Sequence, residues 1–143
     1  MISLSVTLLP CLALLQELFY GALRYYIRLN AILQQQMSKA LKPKDRDIEA
    51  LLVVGLYQLL YMRTPGHAAV SETVSAVQEL KKSWARGLVN GVLRNCQRNM
   101  DELQDEANNH FSSQYAYPEW LIERLQLAWP QQWQRAWPWA GQI

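Results

Sequence analysis

The fold of this 143-residue chain is decided by one stretch, DIEALLVVGLYQLLYM at residues 47–62. Between Ala50 and Met62 only Gln58 is strongly polar, so a helix here would be apolar on nearly all of its faces. Such a helix lies inside a bundle, covered by other helices. The apolar part is also shorter than the roughly 20 residues that a membrane span needs. We therefore predict the core helix of a soluble bundle, with no membrane partner.

Apolar residues at helical spacing predict further helices on both sides of this stretch. Upstream, the pattern covers residues 12–26 and 29–37, whereas Met1–Cys11 contains a proline and no charge and predicts irregular structure or a poor first helix. Downstream, amphipathic patterns cover residues 67–82 and 83–98. No stretch shows a convincing strand pattern, so the predicted fold class is all-α.

The composition changes after Asn99. We expect the acidic run at residues 101–106 to fray into a polar linker, Pro118 to start a short helix, and residues 131–137 to form another. Five of the six tryptophans lie from Trp120 onward. The chain thus divides into a helical domain at residues 1–107 and a linker with short, Trp-rich helices at 108–143. Tryptophans can stack on nucleic-acid bases, but the acids alongside and the sparse basic charge favour docking onto a protein surface.

The charge is unevenly distributed along the chain. Residues 1–98 carry 12 Lys and Arg against 6 Asp and Glu, a balance of +6, whereas residues 99–143 carry 2 against 6, a balance of −4. A basic body favours an anionic partner, although an ordinary solvated surface would look the same from charge alone.

One helix of this basic body carries a regular row of polar residues. Arg86, Asn90, Arg94 and Arg98 recur every four residues, so they form one ridge on a helix. The guanidinium fork suits phosphate oxygens, and an asparagine between arginines can bond sugar or phosphate. The alternative is a solvated helix face without a ligand.

The residues that usually carry chemistry are sparse. The two histidines, His67 and His110, have no cysteine or carboxylate cluster at metal-ligand spacing, and Cys11 and Cys96 match no redox motif. We predict no catalytic residue, no cofactor-binding residue and no metal site. Both cysteines are expected to be free thiols in a reducing cytoplasm.

Three stretches together resemble the NusB-like RNA-binding domain: VGLYQLLY at 54–61, HAAVSETV at 67–74 and RGLVNGVLR at 86–94. The resemblance is to the version that precedes the catalytic domain in bacterial ribosomal RNA cytosine-5 methyltransferases. LLQELFYG at 14–21 fits the preceding helix, and YPEWL at 117–121 fits the connector to that catalytic domain. The resemblance covers about residues 12–137.

This resemblance implies an all-helical NusB-like bundle that binds RNA. In the full enzymes of that family, a separate catalytic domain uses S-adenosylmethionine to methylate cytosine in small-subunit ribosomal RNA. The cofactor loop and the Pro-Cys and Thr-Cys motifs of that domain have no counterpart here, and Met1–Cys11 replaces the first helix of the family. The chain is therefore expected to be a fragment that is not catalytic alone and has no cofactor of its own.

The function predicted from the sequence is therefore RNA binding, with small-subunit ribosomal RNA as the partner. The candidate contacts are the basic residues of the body together with Asn90: Arg24, Arg28, Lys42, Lys44, Arg46, Lys81, Lys82, Arg86, Asn90, Arg94 and Arg98. One alternative is an antitermination-type protein-interaction module that docks through Trp120 and Trp133. Another is a degraded remnant without a stable fold.

Overall fold

The computed structural model describes the backbone of residues 2–135 and the side chains from Leu9 to Arg135. These residues form helices without any strand, as the sequence predicts. The α-helices are α1 (Ile2–Arg24), α2 (Tyr26–Gln36), α3 (Arg46–Tyr61), α4 (Gly66–Glu79), α5 (Ala85–Arg98), α6 (Met100–Ala107), α7 (Phe111–Tyr115) and α8 (Glu119–Ala128). A short 3-10 turn, Pro43–Asp45, leads into α3. Within the described part of the chain, no helix is long and apolar enough to cross a membrane.

Helix α3 is the centre of the bundle, as its all-round apolar sequence predicts. It contacts α1, α2, α4 and α5, and only Arg46 and Ala50 among its residues are exposed. Ile48, Leu52 and Leu56 are completely buried. Each of these fully buried aliphatic side chains contributes about 1.5–3 kcal/mol to the free energy of folding.

Gly55 allows three helices to meet closely. A Cβ atom at this position would lie 2.9 Å from Thr73 Cγ2 on α4 and 3.0 Å from Leu93 Cδ1 on α5. Both distances are too short for carbon atoms that are not bonded, and both neighbours are buried. A hydrogen on Gly55 is what fits between α3, α4 and α5.

Of the two alternatives predicted for Met1–Cys11, irregular structure is wrong and a first helix forms, because α1 is helical from Ile2 and runs through Pro10. Proline has a φ angle that suits a helix, and its main cost is one missing hydrogen bond and a steric clash with the preceding turn. The leucines on both sides are good helix formers, which favours a continuous helix.

The apolar face of α1 is only partly buried. Ala22 lies in the core, whereas Leu15, Phe19 and Leu23 are each more than half exposed. Among the described residues, the principal neighbours of α1 are α2 and α3, which leave the other side of the helix uncovered.

The acidic run at 101–106 does not fray, contrary to expectation, and forms α6. Leu103 and Ala107 lie four residues apart and are both buried in the main core, which holds the helix in place. Asp101 and Glu102 occupy the first turn, where negative charge is favourable. The acidic side chains remain on the outside.

The C-terminal part contains a second, smaller apolar cluster. Tyr115, Ile122 and Trp133 form this cluster, and α7 also packs against α2. Residues 130–135 form turns rather than the predicted helix, since Trp133 folds back so that its ring lies 5.2 Å from the ring of Tyr115. Trp137 and Trp139 lie outside the described residues. The domain boundary at residue 107 stays a prediction.

The substitution Gly55→Ala is expected to lower the free energy of unfolding by roughly 1–3 kcal/mol, because the added methyl group overpacks a buried junction. The matched control is Gly91→Ala on α5, where no heavy atom lies within 4 Å of the new Cβ. Alanine there should stabilise the helix by up to about 1 kcal/mol. Urea unfolding of both variants measures the difference, and equal stabilities would contradict the close packing at Gly55.

Candidate nucleic-acid interface

The ridge predicted on α5 lies on the outside of the bundle. Arg86, Arg94 and Arg98 are exposed, and within residues 9–135 none of them makes an ion pair. Arg94 Nε donates a hydrogen bond to Asn90 Oδ1 at 2.9 Å, which orients the guanidinium along the ridge. The buried side of the same helix, with Val89 and Leu93, fixes the ridge to the core. The result is a row of uncompensated positive charge on a rigid support.

A second basic region surrounds the turn that leads into α3. Lys42, Lys44 and Arg46 are exposed there. Lys39, which was not among the predicted contacts, lines the same cavity as Lys42 and Lys44. Lys44 lies within the 3-10 turn, and Lys42 and Arg46 flank it directly.

Lys82 faces this region but serves a structural role. Its Nζ atom lies 2.7 Å from Asp47 Oδ1 and 3.0 Å from Asp45 Oδ1, and it also donates to the carbonyl oxygen of Lys44 at 2.8 Å. The hydrogen bond between them lowers the pKa of the Asp47 carboxyl and raises the pKa of Lys82. Lys82 therefore ties the segment before α5 to the start of α3, and its charge is already compensated.

Lys81 stands in a backbone conformation that normally favours glycine. Its φ angle is 55°, just after the end of α4, and its N–H donates to the carbonyl oxygen of Gln78. Glycine is the usual residue at this position of a helix end. A lysine here costs on the order of 1 kcal/mol, and its side chain is exposed.

The inclusion of Arg28 among the surface contacts is wrong, since its side chain is only 1% exposed. Its Nη1 atom donates to Asn108 Oδ1 at 2.8 Å and is 3.4 Å from the carbonyl oxygen of Ser113. It joins α2 to the segment around α7. Both acceptors lie at least 80 residues further along the chain, so no local pattern could have revealed them.

Arg24 is also withdrawn from the exposed surface. Its guanidinium carbon lies 4.6 Å from the centre of the Tyr117 ring and 5.2 Å from that of Tyr25. Its two terminal nitrogens are buried, and among the described residues neither has a hydrogen-bond partner. The cation is held between aromatic rings, an interaction that stabilises a guanidinium. It joins the end of α1 to the C-terminal segment.

An open cavity of about 500 Å³ lies between the 3-10 turn Pro43–Asp45, here called the α3 turn, and the start of α5. Met37, Leu41 and Leu88 form part of its apolar lining, and Trp84 borders it directly before α5. Trp84 was not among the predicted site residues, because the prediction from tryptophans considered those of the C-terminal segment. The signal that could have identified it is its position within the basic segment KKSWAR.

Among the described residues, the His, Cys, Asp and Glu side chains that could support metal chemistry do not lie together in one site. Within the part of the chain that the structure describes, no three His, Cys, Asp or Glu side chains lie close enough together to hold a metal ion. Burial raises the pKa of the Cys96 thiol to about 11, so this thiol is protonated at neutral pH. Cys11 is exposed on α1.

The fold and the sequence together define a helical domain of a known family. The model of the NusB family matches residues 11–98, which is more than half of the chain. The chain belongs to the NusB family.

Several relatives are ribosomal RNA small subunit methyltransferases B. The chain is 50% identical over 123 residues to the enzyme of Vibrio cholerae, 52% over 122 residues to that of Vibrio vulnificus, and 47% over 121 residues to that of Pseudomonas syringae pv. tomato. These matches cover 86%, 85% and 85% of this chain but only 28%, 29% and 27% of the relatives. The chain thus spans little more than a quarter of the length of the proteins that it matches.

The substitution Lys81→Gly tests the strained backbone at the end of α4. Because glycine removes the left-handed strain, we expect the variant to be more stable by up to about 1 kcal/mol. Thermal unfolding measures the change, and a less stable variant would contradict the strained geometry.

The substitution Arg28→Lys tests whether Arg28 is structural. Lysine keeps the charge but lacks the planar fork, so we expect a loss of roughly 1–3 kcal/mol in the free energy of unfolding as buried hydrogen bonds are lost. Arg94→Lys on the exposed ridge is the control and should leave stability within about 0.5 kcal/mol of the original. Equal effects of the two substitutions on urea unfolding would contradict a structural role for the buried hydrogen bonds of Arg28.

Proposed function

We propose that this chain is an RNA-binding domain that is not catalytic on its own and binds small-subunit ribosomal RNA. The observation that carries the proposal is the exposed ridge of Arg86, Arg94 and Arg98 on α5, none of which is paired with an acid in the described residues. Lys42 and Lys44 extend the positive surface across the cavity.

The row of exposed arginines on α5 suits a polyanion better than a protein partner. Exposed arginines bind phosphate oxygens through two parallel hydrogen bonds, and release of the condensed counterions drives the association. The phosphate backbone would then lie along α5 and the α3 turn.

The names of the relatives support ribosomal RNA of the small subunit as the target, since these proteins are methyltransferases of that RNA. A chain that spans little more than a quarter of their length would supply the RNA-binding part. S-adenosylmethionine and the catalytic residues would then belong to a domain outside residues 1–143.

A salt titration of RNA binding tests the proposal. Affinity for a small-subunit ribosomal RNA fragment should fall steeply with salt, and Arg94→Ala/Arg98→Ala should reduce the slope of log K against log salt by about 1.4, or ~0.7 for each lost contact with a single strand. Arg124→Ala/Arg135→Ala is the matched control, because it removes two exposed arginines from the C-terminal segment. We expect this control to leave the slope unchanged.

Two results would contradict the proposal. One is an affinity that does not depend on salt. The other is an equal loss of binding in the two double variants, because that would mean that overall charge rather than the α5 ridge determines the affinity.

Protein docking is the second candidate function, and the exposed apolar face of α1 is the observation that favours it. Leu12, Leu15 and Phe19 line an open cavity on this face, on a helix with few charges. Of the residues expected in docking, Trp120 is exposed but Trp133 is buried in the second cluster. Charge reversal at Arg94 and Arg98 would abolish RNA binding and leave a partner on α1 in place.

A further inference from the structure

Trp84 is an exposed aromatic side chain in basic surroundings. Its side chain is 57% exposed, directly before the first residue of α5, whereas the next residue, Ala85, is completely buried. The core therefore does not need the indole, which instead borders the cavity of about 500 Å³ between α5 and the α3 turn.

The lining of this cavity combines apolar walls with cations. Met37, Leu41 and Leu88 are apolar, and Lys39, Lys42 and Lys44 supply positive charge. These groups match the two parts of a nucleotide, since a base has two apolar faces and its phosphate is an anion.

The one acidic residue in the lining does not oppose an anion. Asp45 is buried, and its carboxylate is paired with Lys82 Nζ at 3.0 Å. Asp45 pairs with Lys82 rather than with Lys39, Lys42 or Lys44, and within the described residues these three lysines make no ion pair, so they remain available to a phosphate.

From these observations we propose that the cavity binds one unpaired RNA base, stacked on the indole of Trp84, with the adjoining phosphates at Lys42 and Lys44. The inference rests on the proposed RNA-binding function and adds the kind of RNA that is bound. A base inside a duplex cannot offer its face to a side chain, so the preferred ligand is a single strand, a loop or a bulge.

Helix α5 offers a path for the strand beyond the cavity. Trp84, Gly91 and Arg98 recur every seven residues and so follow one stripe along the helix, with about 21 Å between its ends. Gly87 and Gly91 are exposed, and no heavy atom lies within 4 Å of a Cβ placed on either. The RNA backbone can therefore approach the helix between Trp84 and Arg98.

Binding of a single-stranded RNA of about 12 nucleotides tests this inference. The affinity of the full chain is measured for the intact strand, for the blunt-ended duplex of that strand with its complement, and for strands with one abasic ribose at each position in turn. We expect the single strand to bind better than the duplex, and one abasic position to weaken binding about tenfold.

The variant Trp84→Ala should bind the intact strand about tenfold more weakly and should no longer respond to that abasic position, because the two changes remove the same contact. Trp84→Phe should restore most of the affinity, since phenylalanine can also stack. Trp120→Ala is the matched control, because Trp120 is 63% exposed but lies on α8, and it should bind like the original chain.

Wild-type affinity in Trp84→Ala, or an abasic penalty that persists in that variant, would overturn the stacking site. RNA binding that still depends on salt and on Arg94 would then leave the proposed function standing. No RNA binding by the original chain would overturn both. Thermal unfolding of the two Trp84 variants confirms that they are folded, since an exposed side chain contributes little to the core.

Discussion

The burial of α3 on almost every side is the constraint on which the rest of the structure depends. A helix with Ile48, Leu52 and Leu56 completely buried cannot be stable until other helices cover it. Gly55 brings α4 and α5 close enough to do so. Because α5 is held so tightly on one side, its opposite side becomes a rigid surface, and the positions of Arg94 and Arg98 follow from the packing of the core.

Polar joints connect the C-terminal helices to this core. Arg28 links α2 to Asn108 and Ser113, and Arg24 lies against the ring of Tyr117. Buried cations of this kind contribute little net stability but are costly to break, so they fix which elements meet. They explain how an acidic segment with a small apolar cluster of its own stays attached to a basic bundle. The exposed face of α1 has no comparable joint in the described residues.

The sequence predicted the elements whose signals are local. The all-α class, the central helix and the ridge on α5 follow from spacing along one helix, and the structure places each of them as expected. Arg28 and Arg94 show the limit of predictions from local patterns, because both are arginines on amphipathic helices. Arg28 is buried against acceptors at least 80 residues away, whereas Arg94 is exposed and bonds Asn90 on its own helix. The ordered α6 and the cavity beside Trp84 likewise depend on tertiary contacts or on residues far apart in the chain.

In the proposed complex, RNA lies across α5 and the turn before α3. Hydrogen exchange measured by mass spectrometry, with and without a small-subunit ribosomal RNA fragment, tests this arrangement directly. We expect slower exchange of the backbone amides at residues 39–46 and 81–98 when RNA is bound, with little change in α8. Protection confined to α8 or to the exposed face of α1, with none on α5, would contradict it.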